Sequence, residues 1–224
     1  MFDGIAPRYD LLNHLLSSGI DVYWRKKAIR MLEEFQPKTV LDVATGTADF
    51  AIEAAKALRA KVVGVDVSRQ MLAFGKAKIA KKGLDDVISL KMGAAESLEF
   101  GDEAFDATIV AFGARNFADL PKGLSEMHRV LNNGGHILVL EFSRPHGFLI
   151  GPLYNFYFRR ILPVVGGLVS KSRDSYEYLP RSVSEFPEDT AFLSLMSSAG
   201  FASCTQTRLT FGIATAYLGT KTTP

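Results

Sequence analysis

The stretch from Val40 to Asp66, VLDVATGTADFAIEAAKALRAKVVGVD, constrains this chain more than any other. An apolar run at residues 39–44 ends in the small-residue turn Thr45-Gly46-Thr47-Ala48. A segment rich in helix formers follows, then a second apolar run that ends at Asp66. Short all-apolar runs joined by a helix describe a βαβ unit whose parallel strands are buried on both faces. The turn has no side chain large enough to block a ligand lying across the end of the first strand, and a carboxylate at the tip of the second can accept hydrogen bonds from a ribose diol. Asp66 lies 20 residues after Gly46, the separation at which a Rossmann-like unit delivers its ribose-binding acid. An adenosine-containing cofactor is the expectation.

The residues in the turn narrow the choice. A dinucleotide site calls for Gly-x-Gly-x-x-Gly, because the pyrophosphate approaches the backbone closely. Here Thr45-Gly46-Thr47-Ala48-Asp49-Phe50 supplies one glycine, then an acid and an aromatic. An ATP-binding P-loop fails too, since no Gly-Lys-Ser/Thr follows. S-adenosylmethionine has no phosphate and carries a positive ammonium and sulfonium, so Asp42 and Asp49 near the turn suit it better than an anion.

Along the rest of the chain, strands are expected at about 39–44, 61–66, 87–92, 105–111 and 135–142, and helices at about 48–58, 69–82 and 119–131. The third helix is expected to stop at Asn132-Asn133-Gly134-Gly135. Residues 1–38 read as a helical preamble, with Asp21 to Phe35 ending before Pro37. Residues 144–187 hold five of the nine prolines and many Phe and Tyr, and read as an insertion or cap. A last helix at 188–199 and an antiparallel edge hairpin at 201–208 and 211–219 close the chain. This alternation describes one α/β domain over residues 1–224 with a doubly wound, mostly parallel seven-stranded sheet.

Composition removes several function classes. A net charge of +2 without a long Lys/Arg block gives no footprint for nucleic acid. Cys204 is the single cysteine, so no disulfide framework or thiolate cluster forms, in keeping with a reducing cytosol. His128, His136 and His146 show no ligand spacing, and no metal site is expected. The most apolar stretch, Phe148 to Val169, carries Arg159-Arg160 at its centre and does not read as a transmembrane helix.

Several longer signatures carry a resemblance. They are Met1-Phe2-Asp3-Gly4-Ile5-Ala6-Pro7-Arg8-Tyr9-Asp10-Leu11-Leu12-Asn13 followed by Trp24-Arg25, and Leu41-Asp42-Val43-Ala44-Thr45-Gly46-Thr47-Ala48-Asp49. Phe112-Gly113-Ala114-Arg115-Asn116, Arg129-Val130-Leu131 with Gly134-Gly135, Glu141-Phe142-Ser143-Arg144-Pro145, and Tyr176-Glu177-Tyr178-Leu179 with Ser182-Val183 and Phe186-Pro187 complete the set. Together they resemble the class I methyltransferases of menaquinone and ubiquinone biosynthesis, of the demethylmenaquinone methyltransferase type, over essentially the whole chain.

The resemblance implies S-adenosylmethionine-dependent C-methylation of a prenylated quinol ring, with demethylmenaquinol the expected acceptor. Methylation of a benzoquinol, of an O or N acceptor, or a scaffold without turnover are the alternatives. Asp42, Gly46, Thr47, Asp66, Ala94, Ala95 and Tyr9 are expected at the methyl donor. Ala94 departs from the family pattern, which has Asp or Asn there to hold the adenine amino group. Arg115 is the expected stabiliser of a developing phenolate and Asn116 a holder of the ring oxygen or of the methionyl portion. His14 is the candidate base, with Tyr9, Asp10, Tyr178 or an Arg115-held water as rivals. Phe112, Tyr154 and Tyr178 are expected along the substrate. The 148–162 segment reads either as a tail groove at the inner membrane face or as a cap on the sheet or on a second subunit of a homodimer.

Overall fold

The computed structural model describes residues 19–145 and 181–222. Helix α1 (Ile20–Arg30) leads into β1 (Thr39–Val43), α2 (Asp49–Leu58), β2 (Lys61–Asp66), α3 (Arg69–Lys81) and β3 (Ile88–Met92). There follow β4 (Phe105–Ala111), α4 (Leu120–Arg129), β5 (Leu131–Phe142), α5 (Thr190–Ser198), β6 (Phe201–Leu209) and β7 (Ala214–Lys221). The seven strands form one sheet in the order β3-β2-β1-β4-β5-β7-β6. Pairing is parallel from β3 through β5, and β7 lies antiparallel to both β5 and β6. The strand order reverses between β1 and β4, which leaves a crevice at their carboxyl ends, the place where open α/β sheets bind ligands.

Alternation along the central strands sends side chains into two cores. Val40, Ile109, Leu138 and Leu140 join one beneath α1, α2 and α3, with Trp24, Ile29, Phe50 and Ile79. Leu41, Val43, Val110, Ile137 and Val139 join the other beneath α4 and α5, with Leu124, Met127, Phe192 and Met196. Each such side chain, fully buried, contributes about 1.5–3 kcal/mol. The sheet is thus clamped from both faces, and only its ends are left for chemistry.

Local signals set the helix starts. Ser68 Oγ accepts from the Met71 amide at 3.2 Å to open α3, and Asp119 accepts from the Lys122 amide at 3.0 Å to open α4. Helix α2 differs: its N-cap residue, Ala48, has φ 66° and makes no side-chain cap, so its first turn faces the crevice without a capping side chain.

One sequence expectation needs correction, and another a shift of bounds. Helix α4 ends at Arg129, and Asn132-Asn133-Gly134-Gly135 lies inside β5. The register jumps from Phe105↔Leu131 to Ala107↔His136, so the Asn-Gly run is a bulge. A Cβ on Gly135 would lie 2.9 Å from the Asp106 carbonyl oxygen, and Gly134 has φ +76°, so turn-type residues serve here within a strand. The expected antiparallel hairpin at the sheet edge is present, but a 3-10 turn, Thr210–Gly212, separates its strands, so β7 begins at Ala214, with β6 at that edge. Trp24 holds that turn by donating from Nε1 to Thr210 Oγ1 at 2.7 Å, and Ser143 donates to the Gly212 carbonyl at 2.8 Å.

Candidate active site

A cleft of about 330 Å³ opens at the carboxyl ends of β1, β2, β3 and β4. Gly46, Asp66, Ala94, Ala95, Phe112 and Asn116 all line it, so six residues expected from the sequence converge although they come from four separate segments. Val67, Met71 and Phe117 complete the walls and were not singled out by the sequence. Met71 sits one helical turn into α3, and nothing in its local pattern separates a cleft residue from a core one.

Backbone conformation shapes the floor. Ala44 and Phe112, the first residues beyond β1 and β4, have φ of 54° and 56°, in the left-handed region that costs a residue with a Cβ. The two strand ends nearly touch: a Cβ on Gly113 would lie 2.7 Å from the Ala44 Cβ. Gly46, with φ +56°, has nothing within 4 Å of where a Cβ would stand, so its open side belongs to the crevice.

Asp66 anchors the turn as well as facing the cleft. Its Oδ2 accepts from the Gly46 amide and its Oδ1 from the Ser68 amide, each at 2.8 Å. The ends of β1 and β2 are thereby locked together with the carboxylate at the cleft edge. Asp42 lies deeper. Its Oδ2 accepts from the Thr45 hydroxyl at 2.6 Å, and the Ala51 backbone amide also faces the buried carboxylate. Burial lifts its pKa from 3.8 to about 7, and the nearby Asp66 charge adds to the rise while the Thr45 hydroxyl opposes it. Asp42, Arg25, Thr45 and Thr47 line a smaller recess that shares Ala44, Gly46, Ala111 and Phe112 with the cleft.

Asp49 has a different role from the one its position in the turn suggested. Its carboxylate pairs with Lys78 of α3 at 2.6 Å, and Lys78 also donates to Thr47 Oγ1 at 3.0 Å. The acid is neutralised by a helix remote in sequence and is no free anion beside the ligand. What carries the electrostatics is the cleft lining itself. Among the described residues that line it, Asp66 and Glu96 are the ionisable ones, and none is Lys, Arg or His. That donor set fits a cationic, phosphate-free adenosine ligand such as S-adenosylmethionine and opposes a polyphosphate.

Arg115 does not line the cleft. Its Nη1 donates to Glu141 Oε1 at 2.7 Å and to the Phe112 carbonyl, and its guanidinium lies 5.3 Å from the Phe142 ring centre. Glu141 is wholly buried and also accepts from the Phe142 amide at 2.9 Å. The pair fastens the segment after β4 to the end of β5, with Phe112 held between Trp24 and Phe142 at ring separations of 6.1 and 4.5 Å. Arg115 thus stands paired with Glu141 behind Phe112 and outside the cleft lining. Glu141 and Arg25 stand in the quoted signatures, yet only the fold reveals their partners. Tyr9, His14, Tyr154 and Tyr178 lie outside the described residues.

A family model described as the ubiE/COQ5 methyltransferase family matches residues 1–221. A demethylmenaquinone methyltransferase of Bacteroides fragilis is 47% identical over 222 residues, covering 99% of this chain and 91% of its own length. The ubiquinone/menaquinone biosynthesis C-methyltransferase UbiE of Geobacter sulfurreducens is 47% identical over 223 residues, covering 99% of this chain and 87% of its own. Among solved structures, a SAM-dependent methyltransferase of Thermotoga maritima superposes with a TM-score of 0.68 at 19% identity, covering 98% of both chains. Another from Aquifex aeolicus gives a TM-score of 0.62 at 16% identity, covering 87% of this chain and 89% of that one. The two structures establish the fold and the sequence matches the kinship: the chain belongs to the ubiE/COQ5 methyltransferase family and is an S-adenosylmethionine-dependent methyltransferase.

Proposed function

We propose that this enzyme C-methylates the ring of a prenylated quinol, converting demethylmenaquinol to menaquinol. The observation that carries this reading is near-full-length identity of 45–47% to the demethylmenaquinone methyltransferases of Bacteroides fragilis and Porphyromonas gingivalis. The aromatic wall of Phe112 and Phe117 beside Asn116 supports it, since a flat ring with a polar edge matches that lining.

When bound, S-adenosylmethionine supplies an electrophilic methyl group on a positive sulfur. Asp66, on the cleft lining, would take the ribose diol, and backbone groups of Ala94 and Ala95 the adenine. Asp42 and Arg25, in the adjoining recess, suit an ammonium and a carboxylate respectively. On the acceptor, loss of a hydroxyl proton pushes electrons onto the neighbouring ring carbon. With the donor bound, that carbon would form the new C–C bond as the C–S bond breaks, and its own hydrogen would leave as a proton to restore the aromatic ring. Alignment of the two partners supplies several kcal/mol of the acceleration, up to about 7–11. Asn116 is assigned the ring oxygen. Arg115 is assigned to positioning, since it holds the backbone of Phe112. His14 remains the candidate base and Tyr154 and Tyr178 candidate substrate contacts.

Because the acceptor is a lipid, the enzyme works at the inner membrane face, and among the described residues no helix is long and apolar enough to cross the bilayer. Incubation with S-adenosylmethionine and a short-chain demethylmenaquinol, followed by mass spectrometry, tests the assignment. A product heavier by one methylene, with the methyl on a ring carbon, is expected. Methylation on oxygen, or none, would refute it.

A further inference from the structure

Helix α1 presents an unusual outer face. Its exposed residues are Ile20, Val22, Tyr23, Lys26, Lys27 and Arg30, all apolar, aromatic or cationic. Its one acid, Asp21, is turned inward and paired with Arg25. Tyr23, the three cations and Met31 share with Thr207 of β6 an open depression of about 450 Å³. On its inner side the same helix places Trp24 against Thr210, and the next residue, Phe211, is 74% exposed. Phe211 also has φ 57°, a costly conformation for an aromatic residue, and so holds its ring out from the carboxyl edge of the sheet. That edge is the one where the cleft opens, and Trp24 touches Phe112 of the cleft wall at 6.1 Å.

We propose that α1 and the Thr210–Gly212 turn form a docking face for an anionic lipid bilayer. Phe211 and Tyr23 enter the headgroup layer, while Lys26, Lys27 and Arg30 meet lipid phosphates. Exposed aromatic rings beside cations that make no ion pair among the described residues are the chemistry of an interfacial contact. The charge complementarity favours a bilayer over an apolar protein partner. Docked in this way, the enzyme has its cleft one aromatic layer, Trp24 and Phe112, away from the membrane surface. This inference rests on the acceptor being a prenylated quinol, and it places the contact on described residues outside the 148–162 segment.

The test is flotation of the full-length protein with vesicles containing phosphatidylglycerol and with vesicles of phosphatidylcholine alone. Binding to the anionic vesicles only, weakening with salt, is expected. A Lys26→Ala/Lys27→Ala variant should bind roughly 25-fold more weakly, about fivefold for each cation removed near an anionic surface. Phe211→Asn, a residue that tolerates the left-handed backbone, should also reduce binding. Both variants should methylate a short-chain quinol in solution as the unmodified enzyme does, yet lose turnover on a long-chain quinol embedded in anionic vesicles. Equal vesicle binding by variants and parent would overturn the proposal. So would self-association abolished by the variants, which would give the face to a second copy. Failure to methylate the short-chain quinol would count against the acceptor assignment, while the flotation result would stand separately.

Discussion

Replacing Arg115 with alanine distinguishes a positioning role from a direct catalytic one. Glu141 is fully buried and the Arg115 side chain is 7% exposed, so the two charges neutralise each other out of reach of water. Removing the guanidinium leaves a buried carboxylate with backbone amides of Arg115 and Phe142 at 3.3 and 2.9 Å as its remaining donors. Breaking such a pair on one side costs about 3–5 kcal/mol, a large share of the 5–15 kcal/mol that keeps a domain of this kind folded. Urea unfolding should show this as a lower midpoint with an unchanged slope, and thermal unfolding as a fall of roughly 6–20 °C. The double variant Arg115→Met/Glu141→Leu removes both charges and should regain most of the lost stability. Turnover should fall in both variants, because the Phe112 carbonyl loses its donor and the cleft wall its fixed position. A stability loss below about 1 kcal/mol together with a hundredfold fall in kcat would refute this reasoning and return Arg115 to the reacting ring.

Three further outcomes follow from the same geometry. The Asp42 pKa is raised from 3.8 to about 7, so the folded protein holds a proton that the unfolded chain has released. Its contribution is fully present below pH 4 and is lost as pH rises towards 7, up to about 4 kcal/mol, so Asp42→Asn should flatten that part of the pH–stability curve measured by urea unfolding. Asp66→Ala removes a charged acceptor that holds two amides and faces the ligand. Calorimetry should show S-adenosylmethionine binding weakened by roughly 10- to 100-fold, from about 1.5–3 kcal/mol for a charged hydrogen bond. Ala94→Asn restores a polar side chain on the adenine side and should tighten binding by about two- to tenfold, the yield of one neutral hydrogen bond. Unchanged affinity would remove that role from position 94.

Much of the fold was legible because its signals are local. The apolar runs at β1 and β2, the small-residue turn and the acid at Asp66 each act over a few residues, and their spacing needs no knowledge of the rest of the chain. The Asn132–Gly135 run misled because the same residue types end helices and form bulges. Which of the two occurs depends on Asp106 in the neighbouring strand, whose Oδ1 accepts from Asn132 at 2.8 Å. Among the residues that line the cleft, Gly46, Asp66, Ala94, Ala95, Phe112 and Asn116 were expected from motifs at strand ends, which the fold brings together.

Local patterns in the chain suffice for the doubly wound sheet, for S-adenosylmethionine as the cofactor and for membership in a methyltransferase family. The tertiary structure alone decided which charges act and which are spent on holding the fold. Asp49 looked free until Lys78, 29 residues away, proved to neutralise it. Arg115 gave no local sign of Glu141, 26 residues on, with which it is paired out of water. Residue type and spacing state what a side chain can do, but an ion pair between remote segments forms only where packing brings both partners out of water, and no local pattern encodes that meeting.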